Sequence, residues 1–227
     1  MKPLLIAFEG IDGAGKLTQA SMVERWLAGF SAHTLFLSEP NDNTYLGKTI
    51  RKMLKGEIPK PHPFEFQRLY VLQRAEDVAC FIKPFFAKNG SVEQPAVCIM
   101  ERYALSTIAY GMLAARKPES FIKLHQDVVG PQMIWPDLTI LLDLPAEEAM
   151  RRIVELRGSK TEDFEKVETL RTVRLNYLDA ANLWPFRKKI AVVDGALSPE
   201  EVFKEVKREI SSLLARYEIH KFSTAEN

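Results

Sequence analysis

A glycine-rich turn directly after an apolar run is the feature that most constrains the fold of this chain. The run Leu4–Phe8 leads into EGIDGAGK, in which four residues separate Gly10 from Gly15-Lys16. Glycines allow positive φ angles that turn backbone N–H groups toward an anion, and the lysine can reach the outer phosphates of a nucleotide. The pattern predicts a strand, a phosphate-binding loop and a helix that begins near Lys16.

One position of this motif departs from its usual form. The residue after the lysine is normally Ser or Thr, whose hydroxyl binds Mg²⁺ beside the phosphates. Here it is Leu17, which has no oxygen, and the hydroxyl of Thr18 lies a further ~100° round the helix. Carboxylates and bound water are expected to carry the metal binding instead, and the candidate Mg²⁺ ligands are Asp12 and Glu101.

Composition narrows the class of protein. Hydrophobic residues make up 46% of the 227 residues and charged residues 27%, which is typical of a globular protein with a substantial core. A net charge of +1 gives no overall attraction to nucleic acid, and no apolar run suits a membrane span or a signal peptide. Cys80 and Cys98 lie in apolar segments and are expected to be buried reduced thiols. We therefore expect a cytoplasmic protein with neither a nucleic-acid nor a membrane partner.

Short apolar segments alternate with segments of helical periodicity. The expected strands are Leu4–Phe8, Thr34–Leu37, Ala96–Met100, Leu138–Leu142 and Ile190–Val193. The expected helices are 16–27, 46–54, 64–86, 105–115, 146–155, 164–183 and 199–217. This alternation predicts an α/β three-layer sandwich, in which a five-stranded parallel sheet is flanked by helices. Residues 1–220 are expected to form a single domain, and residues 221–227 a frayed tail.

Polar residues follow each expected strand, at the edge of a parallel sheet where ligands bind. These residues are Glu9, Ser38-Glu39, Glu101-Arg102, Asp143 and Asp194. Phosphoryl transfer needs positive charge around the moving group and alignment of the acceptor oxygen. Lys16 and Arg102 are the candidates for that charge, beside the metal ligands Asp12 and Glu101.

Three further features suit an acceptor that already carries a phosphate. The Arg51 guanidinium could bind two phosphate oxygens at once. Alternatively, Arg51 could simply lie on a solvent-exposed helix face. Tyr70 and Arg74 lie one helical turn apart and could read a flat base, although Tyr70 could equally be a core aromatic. A basic segment near 151–163 could close over the phosphates as a flap, or could be an ordinary loop between helices.

Several motifs together resemble the thymidylate kinase family. They are FEGIDGAGK at 8–16, ERY at 101–103 followed by LSTIAYG, WPDL at 135–138, LDLP at 142–145, RLNYL at 174–178 and VDG at 193–195. The resemblance covers nearly the whole chain. It implies a P-loop NTPase fold, transfer of the ATP γ-phosphoryl group to dTMP with Mg²⁺ as the cofactor, and a homodimer.

The resemblance also implies roles for individual residues. Those implied for ATP are Gly10, Ile11, Asp12, Gly13, Ala14, Gly15, Lys16, Leu17, Thr18, Arg157 and Lys160. Those implied for the acceptor nucleotide are Glu39, Arg51, Tyr70, Arg74, Arg102, Thr107 and Tyr110. In this set Tyr70, Arg74 and Thr107 match positions that contact thymine, and Tyr110 matches the aromatic that excludes a ribose 2′-hydroxyl. The implied catalytic group is Lys16, Asp12, Glu101 and Arg102.

Some positions depart from the family pattern. Glu101 stands where the family usually has Asp, Ser38 where many members have Arg, and Gly111 where many have Gln. The flap lacks the usual Asp-Arg pair, so Arg157 or Lys160 would have to serve. Each lost charged hydrogen bond costs about 1.5–3 kcal/mol. Two alternatives therefore stay open: a related kinase with another deoxynucleotide acceptor, and a nucleotide-binding protein that has lost catalysis.

The missing hydroxyl at Leu17 leads to a first prediction. We expect Glu101→Gln to impair Mg²⁺-dependent turnover more than Thr18→Ala does, because carboxylates replace the absent hydroxyl at the metal. The measurement is steady-state turnover against Mg²⁺ concentration for both variants and the unaltered protein. The reverse order would show that Thr18 has taken over the missing role.

Overall fold

The computed structural model describes residues 3–90, 94–158, 164–183, 185–186 and 189–216. Its strands are β1 (Leu4–Glu9), β2 (His33–Ser38), β3 (Ala96–Glu101), β4 (Leu138–Asp143) and β5 (Ile190–Asp194). They form one parallel sheet in the order β2-β3-β1-β4-β5. The five predicted strands are confirmed, each to within one residue at either end.

The central position of β1 explains its continuous apolar sequence. Leu4–Phe8 is fully buried, because β1 pairs with β3 on one side and β4 on the other while helices cover its faces. Phe8 aligns with Glu101 of β3 and with Ile140 of β4. The glycine-rich turn therefore leaves the middle of the sheet, beside the carboxyl end of β3.

Nine α-helices flank this sheet within the described ranges. They are α1 (Lys16–Ala28), α2 (Tyr45–Leu54), α3 (Pro63–Asp77), α4 (Lys83–Lys88), α5 (Ala104–Gly111), α6 (Pro118–Val128), α7 (Ala146–Arg157), α8 (Val167–Ala181) and α9 (Pro199–Arg216). Helices α1 and α9 pack together against the sheet, and α3, α5, α6 and α8 form a second helical layer. The predicted three-layer α/β sandwich is confirmed.

Two helix predictions need correction. Helix α6 was not predicted, although Pro118 at its first position and Glu119 in its first turn are typical start signals. The single helix expected over 64–86 is divided, because the π-helical turn Val78–Ile82 separates α3 from α4. Within the described residues, no helix is both long enough and apolar enough to cross a membrane.

The π-helical turn also explains why the expectation for one cysteine was wrong. Cys98 is buried on β3 as expected, but Cys80 is exposed. Val78 and Ile82 point into the core from the two ends of the turn. Cys80 lies midway between them and faces outward, so an apolar local sequence did not imply burial.

Thr44 caps the first turn of helix α2. The hydroxyl of Thr44 accepts a hydrogen bond from the Gly47 N–H at 2.9 Å and donates one to the Asn41 carbonyl at 2.9 Å. We expect Thr44→Ala to lower the free energy of unfolding by about 1–2 kcal/mol, because it leaves the buried N–H group of Gly47 in the first turn of α2 without its partner. Denaturant unfolding measures this change.

The matched control for this prediction is Thr49→Ala on the same helix. Within the described residues, the hydroxyl of Thr49 bonds only to the Tyr45 carbonyl, one turn earlier at the surface. Its removal is expected to change the free energy of unfolding by no more than about 0.5 kcal/mol. Equal losses in the two variants would contradict a capping role for Thr44.

Candidate active site

A cavity of about 520 Å³ is lined by residues that follow β1, β2 and β3 and by residues of α2, α3 and α5. Nine of the residues that the sequence predicts for the site line this cavity: Asp12, Leu17, Glu39, Arg51, Tyr70, Glu101, Arg102, Thr107 and Tyr110. Segments far apart in the sequence are thus brought to one place at the carboxyl edge of the sheet. This volume is within the range of small-molecule sites.

The glycine-rich turn lies between β1 and the first residue of α1. Gly10 has φ 140° and Gly13 has φ 80°, conformations that side chains disfavour. A Cβ atom at Gly10 would lie 2.6 Å from the Leu142 carbonyl oxygen, and one at Gly13 would lie 2.6 Å from that of Ala149. Only glycine fits at either position, so the loop can lie close against β4 and α7.

Lys16 is held inside this loop. Its side chain is buried, and its ammonium donates a hydrogen bond to the Ile11 carbonyl at 2.7 Å. Burial and the nearby charge of Arg102 lower the pKa of Lys16 to about 8, although the carboxylates of Asp12 and Glu101 partly oppose this shift. An anion placed in the loop would reverse the shift by supplying the missing negative charge.

Arg102 connects the loop to α5 and α8. Its backbone has a positive φ of 63°, and its guanidinium donates to Asp12 at 2.5 Å and to the Gly10 carbonyl at 3.2 Å. The hydroxyls of Ser106 and Tyr177 accept from it at 3.3 and 3.2 Å. A residue strained in this way, at the junction of three elements and on a cavity wall, is typical of a functional site.

Asp12 is held in its ionised form. Burial alone would raise its pKa, but the positive charges of Arg102 and Lys16 hold the pKa well below its usual range. The hydroxyl of Tyr110 also donates a hydrogen bond to this carboxylate, at 2.9 Å. The edges of the Phe164 and Tyr177 rings contact Tyr110 with centroid distances of 5.4 and 6.3 Å, which fixes its orientation.

Glu9 organises this edge of the site, although the sequence pattern gave it no role beyond a strand end. Its fully buried carboxylate accepts hydrogen bonds from the N–H groups of Tyr103, Leu105 and Ser106 at 3.0, 3.1 and 3.2 Å. It also bonds the Ser106 hydroxyl, which lies 2.6 Å from the Tyr177 hydroxyl. Glu9 thus ties the end of β1 to the start of α5.

The residues predicted for an acceptor nucleotide lie at different depths. Arg51 is at the cavity rim, where it donates to Asp42 at 2.8 Å and to the Pro40 carbonyl at 3.0 Å. Tyr70 and Thr107 form part of the wall. Arg74 is fully buried behind that wall, and the structure does not place it on the cavity surface.

Other wall residues were missed by the sequence reasoning. Phe66, Gln67, Ser106 and Phe164 all line the cavity. The spacing of Phe66 one turn before Tyr70 on the same helix was a usable signal, and their rings contact edge to face at 5.5 Å. No comparable signal marked Phe164, because its contact with Tyr110 arises only when α5 and the chain before α8 come together.

The family model described as thymidylate kinase matches residues 8–206. The chain belongs to the thymidylate kinase family. It is 35% identical to a probable thymidylate kinase of Thermococcus gammatolerans, over 89% of this chain and 93% of that protein. It is 34% identical to a thymidylate kinase of Nitratidesulfovibrio vulgaris, over 93% and 98%, and 33% identical to one of Prochlorococcus marinus NATL1A, over 94% and 99%.

Membership of the thymidylate kinase family settles the fold and the enzyme class. The fold is that of the P-loop NTPases, and the chain is an ATP-dependent nucleoside monophosphate kinase. The loop around Lys16 has the sequence and the positive φ angles at Gly10, Gly13 and Gly15 that are typical of phosphate-binding loops of this class. The sequence-based identification of the family is confirmed.

The donor set beside this loop fits a Mg²⁺ ion that arrives with a nucleotide. Glu101 lines the cavity, and no described residue donates a hydrogen bond to its carboxylate. Mg²⁺ usually takes one or two protein carboxylates, with phosphate oxygens and water completing its shell. Among the described residues no three His, Cys, Asp or Glu side chains cluster to hold a metal by themselves. Leu17 lines the cavity, whereas Thr18 is not among the residues that line it.

Part of the predicted flap lies outside the described residues. Residues 159–163, with Lys160, are among these, and so are the side chain of Arg157 and the tail 221–227. The described part, 151–158, consists of the end of α7 and Gly158. There Arg151 and Arg152 both pair with Glu148, so their charge is already partly neutralised within the helix.

The lowered pKa of Lys16 predicts how ATP binding depends on pH. Below pH 8 the free protein already carries the ammonium, whereas above pH 8 it must take up a proton when the phosphates bind. We expect the affinity for ATP to fall above pH 8, by up to about tenfold per pH unit. Calorimetric titration between pH 7 and pH 9.5, in buffers of different ionisation enthalpy, measures both the affinity and the proton uptake.

The control variant for the pH dependence is Lys16→Arg. A guanidinium keeps its proton throughout this pH range, so the slope of affinity against pH should disappear even if the variant binds ATP more weakly. A slope that persists in Lys16→Arg, or a flat profile in the unaltered protein, would contradict the assignment to Lys16.

Proposed function

We propose that this protein transfers the γ-phosphoryl group of ATP to dTMP and releases dTDP and ADP. The observation that carries the proposal is the cavity, which opens beside the phosphate loop and has arginines at its rim and polar and aromatic residues in its wall. An anionic group at Arg51 and Arg102 would leave the base of the same molecule near Tyr70 and Thr107. Membership of the thymidylate kinase family supports the choice of thymine.

The ATP phosphates would lie in the loop Gly10–Thr18, with the backbone N–H groups and Lys16 as donors. Arg157 or Lys160 of the flap would complete this side. Phosphoryl transfer is promoted mainly by positioning and by positive charge around the moving group. Lys16 and Arg102 would supply that charge from two sides, since Arg102 is braced against Gly10 and Asp12.

Asp12 and Glu101 would hold Mg²⁺, directly or through water. The ion would supply further positive charge to the phosphate oxygens of ATP. Asp12 suits this environment because it stays ionised, and Glu101 because its carboxylate makes no hydrogen bond to the described residues. Glu101 is one methylene longer than the Asp that the family usually has at this position, so its carboxylate would reach further toward the ion. This reach would help to replace the hydroxyl ligand that Leu17 lacks.

Tyr110 would select deoxyribose. Its ring is held by the contacts to Phe164 and Tyr177 and by the hydrogen bond to Asp12. Because these contacts fix the Tyr110 ring, the 2′-hydroxyl of a ribose would clash with it, whereas the 2′-hydrogen of a deoxyribose would not. The Asp12 carboxylate would then face the 3′-hydroxyl side of the sugar.

The homodimer and the cytoplasmic location stay predictions from the sequence. The middle helices have more apolar residues than one buried stripe needs, namely Phe64, Phe66, Phe81, Phe85 and Phe86. A core role is an equal alternative for them, and Phe64, Phe81 and Phe86 do pack against the core. The reduced state expected for Cys98 is consistent with the cytoplasm.

The proposal is tested by a coupled assay of ADP release with dTMP, dUMP, dCMP, dGMP and thymidine as acceptors. We expect dTMP to have the highest kcat/KM, and thymidine to give no turnover because Arg51 and Arg102 would lack a phosphate partner. Turnover of another deoxynucleotide without turnover of dTMP would favour a related kinase. Tight nucleotide binding by calorimetry without any product would favour a protein that has lost catalysis.

A further inference from the structure

The Arg102 guanidinium is held from two sides. On the side of the phosphate loop, Nη2 donates to Asp12 at 2.5 Å and Nη1 donates to the Gly10 carbonyl at 3.2 Å. On the opposite side, Nη1 lies 3.3 Å from the Ser106 hydroxyl of α5 and 3.2 Å from the Tyr177 hydroxyl of α8. The guanidinium therefore spans the space between the loop and these two helices.

The two hydroxyls continue to Glu9 through hydrogen bonds that have only one possible direction. Glu9 accepts from three backbone N–H groups and from the Ser106 hydroxyl, and four donors suit an ionised carboxylate. Because the single Ser106 hydrogen goes to Glu9, the Ser106 oxygen must accept from the Tyr177 hydroxyl, 2.6 Å away. The Tyr177 hydrogen is then used as well, so the Tyr177 oxygen is left to accept from Arg102. Tyr177, Ser106 and Glu9 thus form a buried triad in which every hydroxyl donates toward Glu9.

The buried triad lies mostly behind the cavity wall. Glu9 is fully buried and Tyr177 almost fully, and Tyr177 is not among the residues that line the cavity. Hydrogen bonds in series polarise one another away from water, so the negative charge of Glu9 makes the Tyr177 oxygen a stronger acceptor for Arg102. Tyr177 therefore acts on the guanidinium from behind and has no contact with the space that a ligand would fill.

We propose that Tyr177 is a positioning residue for phosphoryl transfer, because its hydroxyl, oriented by Ser106 and Glu9, fixes the Arg102 guanidinium beside the phosphate loop. The inference rests on the proposed function, in which Arg102 supplies positive charge to the moving phosphoryl group. An arginine side chain is flexible, and its charge promotes transfer best when it is already in place before the reaction. A displaced guanidinium would lose more of its interaction with the transition state than with the bound substrates.

The test variant is Tyr177→Phe, which removes the hydroxyl and keeps the ring that packs against Tyr110. We expect kcat with ATP and dTMP to fall roughly tenfold, while KM for either substrate changes less than about threefold. The matched control is Tyr103→Phe, which also removes the hydroxyl of a fully buried tyrosine, in this case one that donates to the Ile134 carbonyl at 3.0 Å. The control should lose a similar amount of stability and keep kcat within about twofold.

Double-mutant cycles separate positioning from a general loss of packing. If Tyr177 acts through Arg102, Tyr177→Phe should change kcat less than about twofold in an Arg102→Ala background. Ser106→Ala interrupts the same triad, so it should lower kcat about as much as Tyr177→Phe, and both together should lower it little more than either alone. Effects that multiply in these cycles, or an unchanged kcat in a folded Tyr177→Phe variant, would overturn the proposal.

A second variant keeps the proposal testable if Tyr177→Phe does not fold. Ser106→Ala should then lower kcat in the unaltered background and leave it within about twofold in the Arg102→Ala background, and equal losses in both would overturn the proposal. Failure of the proposed function would look different, because the unaltered protein would prefer another deoxynucleotide to dTMP. The same kcat ratios would then be measured with that acceptor. A protein that phosphorylates no acceptor would contradict both the proposed function and the role of Tyr177.

Discussion

The buried carboxylate of Glu9 is the interaction on which this site depends. A carboxylate without water is costly unless nearly all its lone pairs accept hydrogen bonds. Three backbone N–H groups and the Ser106 hydroxyl at the start of α5 meet that need. Burial raises the pKa of Glu9, and the bonds from Ser106 and the charge of Arg102 oppose the shift. Because Glu9 ends the central strand just before the phosphate loop, this bonding sets the distance between that loop and the wall that carries Thr107 and Tyr110.

Around this centre the protein arranges its charges in two layers. Arg102 and Asp12 line the cavity and Lys16 lies in the loop beside it, where a polyanionic ligand would complete their electrostatic balance. Behind the wall, Arg74 and Glu39 form a closed pair that needs no ligand. The outer layer is therefore suited to bind and release phosphates, whereas the inner layer holds a fixed hydrogen-bonding pattern. A kinase needs both properties, since its transition state carries charge and its acceptor must be chosen by shape and hydrogen bonding.

Much of this could be predicted from the chain because its signals are local. The apolar runs marked the strands, and the spacing from Gly10 to Lys16 marked the loop. The signals failed where a neighbour far along the chain decides the outcome. The helical spacing of Tyr70 and Arg74 suggested a shared surface, but Arg74 turns to Glu39 and His125 behind the wall. The apolar neighbours of Cys80 predicted that it is buried, but the π-helical turn directs its side chain to the surface.

By itself the sequence determined the five strands and most of the helices, the glycine-rich loop, the absence of a hydroxyl at Leu17 and the family to which the chain belongs. These follow from residue type and short spacing, which are readable without coordinates. Only the tertiary structure decided which polar groups satisfy one another. It paired Glu9 with the start of α5 and brought His125 of an unpredicted helix against Arg74. Hydrogen-bond partners in a core are chosen by distance and direction in space, and those are set only when the packed elements meet.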